Sequence, residues 1–268
     1  QAWYNLAKAF ETELNNPKKA MKYYRKIIAI TGGATGIGAA CVELFSERGA
    51  TVCILDYNRD EGAATVERVA AAGGKATFQQ LDVRSDVEVA AAFAEIEREH
   101  GKLDVLVCCA GVLKGAYRGI NEVAEEDWDA TLDTNLKGTY LTTKHGTPLL
   151  IKGVDPVLLL IASGAGVHGG SSSYAYAASK AGMHGMRYNL EAELEPHGVR
   201  THVICPGSIA TPLKIGNIGE AAELRGKNAE AAMDEARQSL GDPMGVARVL
   251  CFLATEEGSY VRGTVNTR

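Results

Sequence analysis

A chain of 268 residues, 46% apolar and 23% charged with only 7 prolines, is long enough for one large α/β domain or two small ones and lies outside the composition of a disordered chain. Lys plus Arg is 28 against 33 for Asp plus Glu, a net charge of −5, so the bulk positive field that nucleic-acid binding needs is absent. The longest apolar run, Val157 to Val167, falls far short of the ~20 residues that span a bilayer, and neither nucleic acid nor membrane is an expected partner.

In chain order, Gln1 is preceded by no initiator Met and followed by no apolar leader or cleavage signal, which reads as a trimmed or processed terminus and not a secretory one. Trp3, Leu6, Ala7 and Phe10 then form one helical stripe, Asn15-Asn16-Pro17 a turn, and Ala20, Met21, Tyr24, Ile27 and Ile28 a second stripe. A helical hairpin extension is expected over residues 1–24. Its spacing is similar to one tetratricopeptide repeat with a residue inserted in the turn. A lone unit cannot bury its own face, so it reads as an appendage packed on the main domain. Ile27 and Ile28 serve both the second helix and the first strand, and helix and strand compete at the boundary near Arg25.

From residue 25 to 268 the pattern is that of a single domain. Short β-branched runs (Lys26 to Ile30, Thr51 to Leu55, Ala76 to Leu81, Leu103 to Val107, Val157 to Ile161, Thr201 to Ile204, Val261 to Val265) alternate with helical spacings at Ala63 to Ala72, Val87 to Glu99, Trp128 to Leu149, Tyr176 to Leu194 and Gly245 to Ala254. Apolar runs without internal alternation are buried on both faces, as in a parallel sheet covered by helices on each side. The expected fold is α/β, a Rossmann-like doubly wound parallel sheet of about seven strands. Cys41, Cys53, Cys108, Cys109, Cys205 and Cys251 lie in or beside apolar runs without metal-ligand spacing and read as buried thiols of a cytoplasmic protein with no metal. Gly, at 30 residues, is in excess and points to tight turns and close backbone approaches.

Directly after the first run comes Thr31-Gly32-Gly33-Ala34-Thr35-Gly36-Ile37-Gly38, followed by apolar residues at helical spacing. A strand, a glycine-rich turn and a helix start aim backbone N–H groups and the positive helix end at one point, which is how a pyrophosphate is held. Gly32, Thr35, Gly36, Ile37 and Gly38 are the expected cofactor contacts there. Asp56 closes the next strand where dinucleotide folds place a carboxylate on the ribose hydroxyls. A carboxylate repels a 2′-phosphate, so NAD is favoured over NADP, with Arg59 close enough to soften the preference. Further on, Tyr176 and Lys180 stand four apart on one helix face, where an ammonium favours the phenolate that a general base for an alcohol requires.

With these features in order, the sequence resembles the short-chain dehydrogenase/reductase family in its compact NAD(P)-dependent form. The resemblance runs from about Lys26 to the end and also rests on Leu81-Asp82-Val83, Asn135-Leu136-Lys137-Gly138, Ser163 ahead of Tyr176, and Pro206-Gly207-Ser208-Ile209-Ala210-Thr211-Pro212. It implies an oxidoreductase that interconverts a secondary alcohol and a ketone. Ser163 would orient the substrate oxygen and Tyr176 act as acid/base. Lys180 would hold the nicotinamide ribose and lower the Tyr176 pKa, and Asn135 would position a water linking Lys180 to solvent. Asp82 and Val83 would flank adenine, Ala110 and Gly111 would line the cofactor, and Pro206, Gly207, Ile209 and Thr211 would meet the carboxamide end. Similar proteins pair the helices Trp128 to Leu149 and Tyr176 to Leu194 across a two-fold axis, so a homo-oligomer, a tetramer or dimer, is expected.

The sequence departs from the family at Cys108-Cys109-Ala110-Gly111, where an Asn-Asn pair is usual, at the close Val261 to Arg268, and in the N-terminal hairpin. Cys cannot supply an amide's donors and acceptor, so hydrogen bonds there must be lost or replaced. Lys214 to Leu240 matches the family's variable lid, and His168 reads as a pocket or plain loop histidine. Two other functions fit the same features. A 3-oxoacyl thioester reductase would use the same site with NADPH, against which Asp56 weighs. A non-catalytic dinucleotide-binding interaction module would have no need of Ser163, Tyr176 and Lys180 at these separations.

Overall fold

The computed structural model describes residues 26–267, and the hairpin expected over residues 1–24 lies outside them. The first strand, β1 (Ile27–Thr31), is buried along its whole length. The competition at Ile27 and Ile28 is won by the strand. Ile27 pairs with Thr51, and Ile28 with both Val52 and Val105, so their branched side chains fill a sheet covered on both faces.

There follow α1 (Gly36–Glu47), β2 (Thr51–Asp56), α2 (Arg59–Ala71), β3 (Lys75–Gln80), α3 (Asp86–His100), β4 (Val105–Cys108), α4 (Glu125–Leu132), a π turn (Asp133–Lys137), α5 (Gly138–Leu150), β5 (Val157–Ile161), α6 (Tyr174–Leu194), β6 (Arg200–Cys205), α7 (Pro212–Leu224), α8 (Ala229–Ser239), α9 (Pro243–Leu253) and β7 (Gly263–Asn266). All strand pairs are parallel, in the order β3-β2-β1-β4-β5-β6-β7. The chain winds outward from β1 to β3, returns to β4 beside β1, and winds the other way. Loops leaving the C-terminal ends of β1 and β4 therefore diverge to opposite faces, and the crevice between them is where such sheets take ligands. This is the seven-stranded, doubly wound Rossmann-like sheet expected from the sequence.

Alternate residues of β1 feed two cores. Ile28 and Ile30 pack with Val42 and Phe45 of α1 and with Val246 and Leu250 of α9. Ala29 faces the other layer, with Phe93 of α3, Leu149 of α5 and Met183 of α6. The edge strands β3 and β7 alternate in burial, unlike the central strands, because only one of their faces is fully covered. The described residues contain no helix long and apolar enough to cross a membrane, and no group of three or more His, Cys, Asp or Glu that could hold a metal. The six cysteines are free, and only Cys109 is less than fully buried.

Three of the differences from the sequence expectation have a visible physical cause. β4 begins at Val105, not Leu103, because the buried Asp104 carboxylate accepts the N–H groups of Ile27 at 2.8 Å and Val154 at 2.7 Å and so joins three chain segments. The expected helix Trp128 to Leu149 is interrupted by the π turn that carries Asn135. The lid segment is two helices, α7 and α8, parted before Asn228, whose side chain caps α8 by accepting from Ala231 N at 3.0 Å.

One buried group makes stability depend on pH. His202, in the middle of β6 and fully buried, has its pKa lowered to about 4 by burial and by the guanidiniums of Arg200, Arg262 and Arg187. The unfolded chain takes up this proton near the ordinary value of 6.5. Stability is thus full above that value and falls as the pH drops towards the folded value, by up to about 3 kcal/mol at about 1.4 kcal/mol per unit. Denaturant titrations across that interval are expected to show the fall, with His202→Gln flattening it; an equal fall in the variant would assign it to other groups.

Candidate active site

The crevice at the switch point is a cleft of about 800 Å³. Of the residues singled out from the sequence, Gly32, Thr35, Gly36, Ile37, Asp56, Asp82, Val83, Ala110, Gly111, Ser163, Tyr176, Lys180, Pro206, Gly207, Ile209 and Thr211 line it. Gly38 and Asn135 do not, and each acts from behind the wall.

The glycine turn follows β1. Gly32 adopts φ +68°, and a Cβ there would stand 2.7 Å from the Ala110 backbone. A Cβ on Gly38 would stand 1.9 Å from the Gly32 carbonyl oxygen, so Gly38 is what lets α1 start against the strand. Thr35, the residue preceding α1, gives no side-chain cap, and the first turn of α1 carries no acid. N–H groups and the positive helix end therefore face the cleft, which fits a pyrophosphate.

Asp56 ends β2 with Oδ2 accepting from Ala34 N and Oδ1 from Asn58 N, both at 2.9 Å. These bonds hold the carboxylate at the cleft beside the turn and leave it acceptor capacity for hydroxyl groups. Arg59 does not line the cleft; its Nε donates to Gln80 Oε1 on β3 at 3.1 Å. Asp82 is clasped by Arg84, whose hydrogen bonds hold the carboxyl below its usual range. Val83 packs beneath Gly138, where a Cβ would come within 2.7 Å of it.

At Cys108-Cys109 the main chain is held to β1 by bonds that any residue there would make. Cys109 N donates to the Thr31 carbonyl at 3.1 Å, and Thr31 Oγ1 lies within reach of the N–H groups of Cys109 and Ala110. The Cys109 thiol accepts from Gly38 N–H, and burial pushes its pKa up to about 11. Burial raises Cys108 further, so neither is a thiolate at neutral pH.

Ser163 follows β5 and its Oγ accepts from Ala165 N at 3.2 Å. Tyr176 and Lys180 lie in the first two turns of α6, whose start is fixed by Ser173 Oγ accepting from Tyr176 N. The expectation that Lys180 makes the Tyr176 phenol more acidic is not met in this structure. Lys180 Nζ sits 5.5 Å from the centre of the Tyr176 ring and donates to the Ile161 carbonyl at 2.8 Å. Burial raises the phenol above its ordinary 10, opposed by a hydrogen bond with Ser163. Burial also brings Lys180 down to about 8. The pair is a dry phenol and ammonium with a serine hydroxyl beside the phenol, able to offer a hydrogen bond and a proton to one substrate oxygen.

Asn135 is held by bonds that the sequence did not signal. Its Oδ1 accepts from Val112 N at 2.8 Å, and its Nδ2 donates to the Val112 carbonyl at 2.9 Å and to Ser179 Oγ at 3.0 Å. The amide braces the loop after β4 against α6, with both Nδ2 hydrogens committed and one acceptor position left on Oδ1. Gly111 lies between this brace and the lysine, since a Cβ there would stand 3.3 Å from Asn135 Oδ1 and 3.5 Å from Lys180 Nζ.

The cleft also contains residues the sequence did not signal, among them Tyr57, Arg84, Lys114, Ser172 and Asn217. None falls in a spacing pattern, and Asn217 lies in the lid segment, whose residues spell no motif. His168, left open between pocket and loop, lines the cleft at an exposed position.

Residues 26–219 match the family described as short chain dehydrogenase. Among curated proteins, the chain is 33% identical over 246 residues to the 3-oxoacyl-(acyl-carrier-protein) reductase FabG of Thermotoga maritima, covering 91% of this chain and 96% of that protein. It is 34% identical over 257 residues to tropinone reductase-like 2 of Erythroxylum coca, covering 94% and 91%. Among solved structures, levodione reductase superposes with a TM-score of 0.83 over 91% of this chain and 96% of that one, at 23% identity, a likeness of fold.

Proposed function

The chain belongs to the short-chain dehydrogenase family and is an NAD(P)-dependent oxidoreductase acting on CH–OH donors, and we propose that it uses NAD to interconvert a secondary alcohol and the matching ketone. The observation that carries this reading is that Tyr176, Ser163 and Lys180 line the same cleft as the glycine turn and Asp56. When bound, the nicotinamide supplies or accepts the hydride. The N-terminal turn of α1 would hold the pyrophosphate and Asp56 the adenosine ribose. Lys180 would hold the nicotinamide ribose, with its charge made costly by burial and so available to a partner. Ser163 orients the substrate oxygen. Tyr176 gives that oxygen its proton in reduction and takes it in oxidation. Asn135 keeps α6 and the loop after β4 in register, so that the phenol and the lysine face one point.

NADH titrated into the protein and followed by nicotinamide fluorescence is expected to bind, and NADPH to bind more weakly. Binding of neither would overturn the reading, and tighter NADPH would overturn its NAD part. The similarity to a 3-oxoacyl-(acyl-carrier-protein) reductase favours a second reading, a 3-oxoacyl thioester reductase, in which Asp56 would face a 2′-phosphate. We further propose a homo-oligomer, a tetramer or dimer, through α4–α5 and α6, which expose Tyr140, Tyr174 and Tyr188. Light scattering at micromolar concentration is expected to give a multiple of the chain mass, and a monomer would overturn it.

A further inference from the structure

The half of the cleft away from Asp56 contains a polar group without a partner. Asn217, on α7, is 6% exposed and lines the cleft. Its Oδ1 accepts from Tyr117 Oη at 2.9 Å and from Ser172 Oγ at 3.2 Å. Its Nδ2 is buried with no hydrogen-bond partner among the described residues. With the hydroxyls of Tyr117 and Ser172 both donating to Oδ1, the NH2 is left on the other side of the amide. The loops are built to keep this arrangement. Tyr117 holds φ +59° without being glycine, and its N–H donates to the Ser172 carbonyl at 2.7 Å. Three segments, after β4, after β5 and on α7, thus converge on one asparagine and leave it a free donor. A buried donor without an acceptor is costly, and at the wall of a ligand cleft an acceptor on the ligand would relieve that cost.

Charge at this end adds to the donor. Lys114 and Lys214 line it and form no ion pair with a carboxylate among the described residues. The carboxylates lining the cleft are Asp56, which ends β2, and Asp82, which follows β3, at the other end. Two ammoniums that line the cleft without an ion-paired acid favour an anionic oxygen over a cationic group.

We propose that Asn217, with Lys114 and Lys214, forms a subsite for a carboxylate on the substrate, so that the enzyme prefers oxo acids and hydroxy acids to their neutral counterparts. This rests on the oxidoreductase reading above. The test is a homologous series of oxo acids, each paired with its methyl ester, reduced with NADH by wild type, Asn217→Asp and Lys214→Gln. Asn217→Asp retains an oxygen to accept from Tyr117 and Ser172 but replaces the free donor by a negative oxygen. A purely structural asparagine would lose stability and slow acid and ester alike, leaving the acid-to-ester ratio unmoved.

At least one acid is expected to exceed its ester in kcat/KM by about tenfold or more, the worth of a charge-assisted hydrogen bond. Asn217→Asp is expected to abolish that ratio, and Lys214→Gln, at a half-exposed site, to reduce it. Esters reduced as well as acids in a Tyr176-dependent reaction, or a ratio unchanged in Asn217→Asp, would overturn the subsite and leave the oxidoreductase reading standing. If no member of the series turns over, melting of the NADH-bound enzyme decides. Acids that raise the melting temperature of wild type but not of Asn217→Asp support the subsite, and acids without effect overturn it. Failure to bind NADH would overturn the oxidoreductase reading itself, and the subsite with it.

Discussion

Tyr176→Phe is expected to bind NADH like the wild type and to lose roughly 10²–10⁴-fold in turnover, the usual worth of a positioned acid/base. The ring is retained, so its packing against Lys180 and the start of α6 at Ser173 are unchanged, and only the phenolic oxygen is lost. Ser163 remains to bond the substrate oxygen, but its hydroxyl is no substitute for a phenol as proton donor. The pH dependence separates the two directions. Burial holds the Tyr176 pKa above 10, so the phenol is protonated throughout the neutral range and ready to donate in reduction. Oxidation needs the phenolate, whose fraction rises about tenfold per pH unit below the pKa, so alcohol oxidation should accelerate as pH rises. Loss of that acceleration in Tyr176→Phe, with NADH fluorescence unaltered, checks the assignment. A variant as fast as wild type would remove Tyr176 from the chemistry.

How much of this was legible depends on whether a residue's role is set by its neighbours in sequence or in space. The central strands could be read because a strand buried on both faces has little choice but a run such as Val157 to Ile161, and the phosphate turn because its glycines are demanded by a local geometry. The residues lining the cleft followed, since they cap the C-terminal ends of successive parallel strands. The π turn could not be read. Nothing in Asp133 to Lys137 differs from ordinary helix, and the turn is held by Asn135 bonding Val112 and Ser179 from other segments. The sign of the Tyr176 shift was equally hidden. Spacing brings Lys180 to the same helix face, but the Ile161 carbonyl draws the ammonium to itself, and burial of the phenol depends on the whole cleft wall. Asn217 is the extreme case, because its two partners come from loops 100 and 45 residues away.

Asp56→Asn is expected to shift the ratio of NADH to NADPH affinity on the order of 10²-fold towards NADPH. The variant keeps the size of the side chain and one carbonyl-type oxygen, so it retains one of the bonds from Ala34 N or Asn58 N that place the group at the end of β2. What it loses is the negative charge. On the NADH side, a charged acceptor for the ribose hydroxyls becomes a neutral one, a loss of about tenfold. On the NADPH side, repulsion of a 2′-phosphate disappears and an amide N–H able to donate to it is gained, which supplies the remainder. Titrating both nucleotides into wild type and variant by nicotinamide fluorescence measures the ratio directly, with melting temperature as the check that the turn beside Ala34 has survived. If NADPH stays as weak in Asp56→Asn as in wild type, charge at the end of β2 is not what selects the nucleotide. Selection would then rest on Arg59, which is bonded to Gln80 and does not line the cleft, and releasing it with Gln80→Ala would be expected to strengthen NADPH binding instead.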